Sequence, residues 1–153
     1  MQDSKTSDGL RAFRGDDLLM AYALLRITLG VNIAVHGIAR IMAGTGAFTS
    51  TLTNQFAGTP LPHFAVQGFG YVLPWVEAVI GLLILFGAFT RLALIAGALV
   101  MIALTSGICL RQDWNVAGLQ LIYSTVYFLM IAMMRYNGFS VDRLVAQTRE
   151  RPL

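Results

Sequence analysis

The sequence predicts an all-α membrane protein: a four-transmembrane-helix up-down bundle with both termini cytoplasmic and a short amphipathic interfacial helix between helices 1 and 2. Three observations carry that prediction. Of 153 residues, 56% are hydrophobic and 12% charged, against about 25% charged in a soluble domain, and mean hydropathy is +0.66. Four apolar stretches, residues 18–42, 71–89, 92–110 and 116–135, approach the roughly 20 residues that one bilayer crossing needs. All but one of the connections between them are short, which makes consecutive helices antiparallel neighbours.

Residues 1–17 mix Ser, Gly, Asp and basic side chains without apolar periodicity and read as a cytoplasmic tail. The apolar run that follows is longer than the core of a cleavable signal, so the first helix is expected to stay attached. Residues 18–136 form the membrane domain. Its long connection, residues 43–70, carries Phe48, Leu52 and Phe56 at helical spacing among Thr49, Thr53, Asn54 and Gln55. That pattern predicts a short amphipathic helix, stopped by Thr59-Pro60-Leu61-Pro62, that forms a lid over the helix ends; an irregular loop is the alternative. Gly87-Ala88-Phe89-Thr90-Arg91 and Arg111-Gln112-Asp113-Trp114-Asn115 form the tight turns. Residues 137–153 form a cytoplasmic amphipathic tail, in which Gly138 ends the fourth helix and Ser140 caps a last short one with Val141, Leu144 and Val145 on the interface.

Charge sets the expected orientation. Lys5, Arg11, Arg14, Arg91, Arg135, Arg143, Arg149 and Arg151 fall on one side of the membrane, and only Arg40 and Arg111 on the other. The positive-inside rule places the richer side, with both termini, in the cytoplasm. The net charge of +3 suits an anionic inner leaflet and requires no nucleic acid.

Within the spans stand Arg26, His36, Arg40 and Glu77. A charge at a helix centre costs about 2.5 to 3.5 kcal/mol on insertion scales, so each needs a partner, a wet cavity or a function. At 100° per residue with Arg26 at zero, Asn32 falls at about 240°, His36 at about 280°, Arg40 at about 320°, Gly37 at about 20° and Gly30 at about 40°. This arc of polar and small residues is expected to face the bundle, where glycines let another backbone approach. Arg26 lies toward the inner end of its helix, where it either snorkels or meets a partner. His36 and Arg40 lie toward the outer end, level with Glu77 in the second helix. An Arg40–Glu77 pair with His36 beside it is the simplest satisfied arrangement. Asn32, Tyr71, Trp75, Trp114 and Gln120 converge on the same layer as candidate pocket lining, although aromatic rings there also serve as plain interface anchors.

Several chemistries are set aside. The single Cys109 allows no disulfide or dithiol centre within the chain. His36 and His63 lie far apart without clustered Cys or carboxylates, which argues against a metal site. Phosphate loops, nucleophile elbows and zincin motifs are absent from the sequence. Met101, Met130, Met133 and Met134 read as bundle filling.

Leu24-Leu25-Arg26-Ile27-Thr28-Leu29-Gly30 with His36-Gly37-Ile38-Ala39-Arg40 resembles the first helix of DoxX-like proteins. Pro74-Trp75-Val76-Glu77-Ala78 with Gly87-Ala88-Phe89-Thr90-Arg91 resembles their second helix and turn, and Asn137-Gly138-Phe139-Ser140-Val141-Asp142 their ending. The resemblance implies a multi-pass protein of the bacterial cytoplasmic (inner) membrane, related to a subunit of thiosulfate:quinone oxidoreductase. It further implies quinone as a non-covalent cofactor, a soluble or membrane redox partner, and His36, Arg40 and Glu77 as the quinone-binding or proton-relay set. Whether the chain is itself an enzyme stays open, because it shows no redox centre of its own. A non-catalytic scaffold with a structural polar network is the alternative reading. A proton or small-solute carrier is a third, and would call for a homo-oligomer.

Overall fold

The computed structural model describes residues 2–149, with side chains from residue 15 onward. The side chains of Lys5, Arg11, Arg14 and Arg151, on which the orientation argument draws, lie outside the described residues, as does the end of the expected C-terminal tail. The elements are α1 (Gln2–Met42), α2 (Thr45–Gln55), α3 (His63–Phe86), α4 (Thr90–Leu110), α5 (Trp114–Ala132), a 3-10 turn at Met134–Tyr136 and α6 (Val141–Arg149). Four segments are long and apolar enough to cross a membrane: Gly15–Met42, His63–Phe86, Thr90–Leu110 and Trp114–Ala132. Large apolar side chains such as Leu24, Val35, Val79, Leu99, Ile122 and Phe128 cover the outside of the bundle, which is what lipid solvates and water does not.

Glycine sets the tightest helix pair. A Cβ on Gly30 of α1 would lie 2.5 Å from the Leu85 backbone nitrogen of α3, and one on Gly37 or Gly81 would be closer still to the backbones of Ala78 and Ala34. The backbones of α1 and α3 therefore touch along the small-residue face that the sequence assigned to the interior. α4 packs on α3 and on α5. The core, with Tyr22, Leu29, Ile84, Leu94, Met101 and Met130 among its buried members, runs between the four long helices. Met101 and Met130 fill it as expected, and Tyr22 donates from its hydroxyl to the Met130 carbonyl at 3.2 Å.

Two boundaries differ from expectation. The helix expected from residue 71 starts at His63, with Pro62 in extended conformation as its N-cap. Hydropathy hides this first part because Gln67, Gly68 and Gly70 dilute it. Packing holds it instead, since Gly70 admits Thr49 of α2, whose Oγ1 would lie 2.9 Å from a Cβ there. α1 is continuous through residue 18 and begins at Gln2.

The segment after α5 folds back as a clasp. Gly87, at φ 66, ends α3 in the left-handed conformation, and Phe89 follows at φ 46. The Asp142 carboxylate accepts from Phe89 N at 2.7 Å, Thr90 N at 2.8 Å and Thr90 Oγ1 at 2.7 Å, and so caps α4 from another helix. Asp142 N donates to the Gly87 carbonyl at 3.0 Å. Ser140 is buried and accepts from Arg143 N at 3.3 Å, which is the cap the sequence suggested for α6.

Candidate ligand cavity

Arg40 and Glu77 do pair, Nη1 to Oε2, across the α1–α3 interface. Their side chains are 29% and 9% exposed. The Arg40 guanidinium also lies 4.7 Å over the ring of Phe48, the first aromatic residue of the α2 stripe. At the other end of α2, Arg111 lies 5.2 Å over Phe56 and donates to Gln55 Oε1 at 3.3 Å. Two cation–π contacts thus hold α2 against the bundle, each worth about 0.5 to 2 kcal/mol depending on desolvation.

Beneath α2 lies a cavity of about 410 Å³, within the size range of small-molecule sites. Leu52, Phe56, Val66, Phe69, Leu73 and Leu104 are among its apolar walls, and Arg40, Gln55, Arg111 and Gln120 supply polar groups. Gln120 Oε1 is buried with no hydrogen-bond partner among the described residues. Ala103, Ser106 and Leu110, all exposed, line the cavity along one edge of α4, so the opening is at the side of the bundle.

Of the sequence candidates, Arg40 and Gln120 line this cavity and Glu77 stands behind Arg40 as its counter-ion. His36 is exposed, its Nδ1 2.8 Å from the Asn32 carbonyl, and touches neither Arg40 nor Glu77 in the hydrogen-bond network of the described residues. Helical phase explains the difference. Gly30 and Gly37 fix the direction of α3, and His36 sits about 100° away from Gly37, beyond what an imidazole can span, whereas the longer Arg40 reaches back. Asn32 is further round and half-buried, its Oδ1 without a partner among the described residues. Tyr71, Trp75 and Trp114 are exposed, Trp75 by 57%, because a residue two positions before Glu77 falls on the opposite side of α3. They do not line the cavity. Sequence reasoning missed Arg111, Gln55 and the apolar wall of α3. The stripe of Phe48, Leu52 and Phe56 was the signal that could have pointed to them.

Arg26 belongs to a different structure. It is 3% exposed, and its Nη1 donates to the carbonyls of Ile84 at 2.7 Å and Leu85 at 2.6 Å. Nη2 donates to Phe139 O at 2.6 Å. The last carbonyls of α3 lie beyond its own i+4 ladder, Ile84 O accepting otherwise only from the C-cap Gly87 N at 3.1 Å, and a cation there also meets the negative end of the helix dipole. Arg26 joins α1, α3 and the returning chain at the end of the bundle opposite the cavity. Beside it, burial pushes the Asp142 carboxyl up, but the hydrogen bonds from Thr90 and Phe89, with the Arg26 charge, outweigh that and hold its pKa below the ordinary value.

Fold and cavity together define a multi-pass membrane protein whose polar groups serve two ends, a helix clasp at one and a side-opening apolar cavity at the other. The model of the family described as Methylamine utilisation protein MauE matches residues 18–114. The chain belongs to that family. The match spans α2, α3 and α4 with the membrane part of α1, and it overturns the DoxX-like resemblance. The motifs behind that resemblance were a few Gly, Arg and Glu residues in apolar helices, which close helix packing and charge pairing require in any such bundle. No curated protein and no solved structure matches the chain significantly.

Proposed function

We propose that this chain is the membrane component of an oxidoreductase-linked system of the kind its family name denotes, methylamine utilisation, and that its cavity binds quinone drawn from the bilayer. The observation that carries this reading is the cavity of about 410 Å³ with apolar walls and a small set of polar groups. A quinone is flat and apolar, with carbonyl acceptors at its head. The residues present fit it: the Gln120 amide and the Arg40 and Arg111 guanidiniums are donors, and the phenyl and leucine side chains accept a ring and the start of a prenyl tail. The side opening at Ala103 and Ser106 lets the tail stay in lipid. When bound, quinone would supply two-electron redox chemistry. The chain's own residues bind and orient it, exclude water with α2, and hold the Arg40 charge in place through Glu77. With Cys109 alone, no dithiol within the chain can pass electrons, so a partner protein in the same membrane system supplies them. The excess of basic residues supports a reading with the termini in the cytoplasm and the cavity toward the outer leaflet.

Short-chain quinone binding to the purified protein in lipid nanodiscs tests the reading. Gln120→Leu removes one hydrogen bond of about 0.5 to 1.5 kcal/mol and weakens binding about 2- to 10-fold, and Ala103→Trp blocks the opening and abolishes it. Unchanged binding in both variants refutes the site. A scaffold role is the second reading, favoured by one observation: the side-chain hydrogen bonds of Arg26 and Asp142 go to backbone and hydroxyl groups of the bundle.

A further inference from the structure

A second, smaller cavity lies behind the Arg40–Glu77 pair. Its volume is about 20 Å³, and it is lined by Glu77, Tyr127 and Gly97 among apolar side chains that include Ile33, Ile80 and Met101. Gly97 lets the Tyr127 ring pack against the α4 backbone: a Cβ there would lie 2.5 Å from Cε1 of that ring and closer still to its hydroxyl oxygen. Tyr127 is 2% exposed. Among the described residues its hydroxyl has no hydrogen-bond partner, and Arg40 takes only one oxygen of Glu77. A water needs about 10 to 15 Å³ and two to four polar partners, and purely apolar cavities of this kind stay dry. This one offers the space, one anionic acceptor and one hydroxyl donor.

We propose that the smaller cavity is a built site for a single water molecule, bridging the Tyr127 hydroxyl and the free carboxylate oxygen of Glu77. Through that water Tyr127 is a positioning residue for the Arg40–Glu77 pair, a consequence that rests on the larger cavity being the ligand site. Tyr127 donates to the water and the water donates to Glu77; no proton changes owner. With both carboxylate oxygens occupied, Arg40 stays directed at the head of the larger cavity instead of folding onto an under-solvated carboxylate.

Infrared difference spectroscopy on the full chain in nanodiscs tests this without any quinone. The Glu77 carboxylate band is assigned from the wild-type minus Glu77→Gln spectrum, and is expected to shift in D2O and to move in Tyr127→Phe, which keeps the ring and removes only the hydroxyl. A band that is the same in wild type and Tyr127→Phe overturns the water site. In a second arm, loss of one neutral hydrogen bond behind Arg40 weakens short-chain quinone binding about 2- to 10-fold in Tyr127→Phe, at unchanged thermal stability of the bundle. A moved band with unchanged quinone affinity overturns the positioning role. If wild-type protein binds no quinone, the ligand reading fails on its own, and the band still decides the water site.

Discussion

Replacing Arg26 by Met is expected to be the most destabilising single change at any of the charged positions, and its size follows from the contacts. The guanidinium makes three hydrogen bonds, to the carbonyls of Ile84, Leu85 and Phe139. Hydrogen bonds to a charged group contribute about 1.5 to 3 kcal/mol each, but the wild-type residue already bears the cost of burying its charge, with Nε unpartnered among the described residues. Setting that desolvation against the three bonds, and adding the Leu85 and Phe139 carbonyls that lose this donor while Ile84 O keeps Gly87 N at 3.1 Å, gives a net loss of about 3 to 5 kcal/mol. Arg26→Lys, with donors on a single nitrogen, keeps part of this and should fall between. Unfolding of the reconstituted protein, followed by circular dichroism against denaturing detergent, measures both. The folded fraction of either variant should bind quinone as wild type does, because Arg26 is at the far end of the bundle. A fully stable Arg26→Met protein would refute the clasp, and a stable one that no longer binds quinone would move Arg26 into the site.

Asp142→Asn keeps one acceptor oxygen but presents an amide to donors at Phe89 and Thr90, so α6 should undock and Arg143 and Arg149 become sites of rapid trypsin cleavage. In wild type the folded pKa of Asp142 is depressed, so its contribution is complete above the ordinary carboxylate range and is lost as pH falls through the lower folded value; α6 protection measured by hydrogen exchange should follow that acid limb, and Asp142→Asn should lack it. Gly30→Ala puts a methyl 2.5 Å from the Leu85 nitrogen and should destabilise by about 1 to 3 kcal/mol in the same detergent titration, despite the higher helix propensity of Ala. Phe48→Ala with Phe56→Ala removes both guanidinium stacks, and should release α2 as seen by increased hydrogen exchange over residues 45–55 while the long helices keep their protection.

The fold was legible because bilayer solvation imposes length and composition on each span, and the Gly87 and Asp113 turns mark where spans end. The start of α3 at His63 was not, since hydropathy cannot register a polar first turn that is held by α2 packing. The Arg40–Glu77 pair was readable because opposite charges at one depth on neighbouring helices have few alternatives. His36 was misplaced beside it because a broad polar arc was treated as one face, when only the glycines within it mark contact. Arg111 escaped because the direction of a turn side chain depends on local backbone, here Gln112 at φ 57 and the Asp113 cap on Val116, which no periodicity encodes. Phe89 likewise adopts φ 46 in a turn where Asp142 meets its N–H from a distant segment.

A lipid-borne quinone is expected in the larger cavity. Photoaffinity labelling with an azido-quinone in nanodiscs, followed by peptide mapping, addresses that place directly. Label concentrated on α2 around Leu52 and Phe56 and on α4 between Ala103 and Gly107, all cavity lining, and competed by unmodified quinone, is the predicted result. Label spread over the lipid-facing surfaces at Val35, Leu99 and Ile122, or unaffected by competitor, contradicts it.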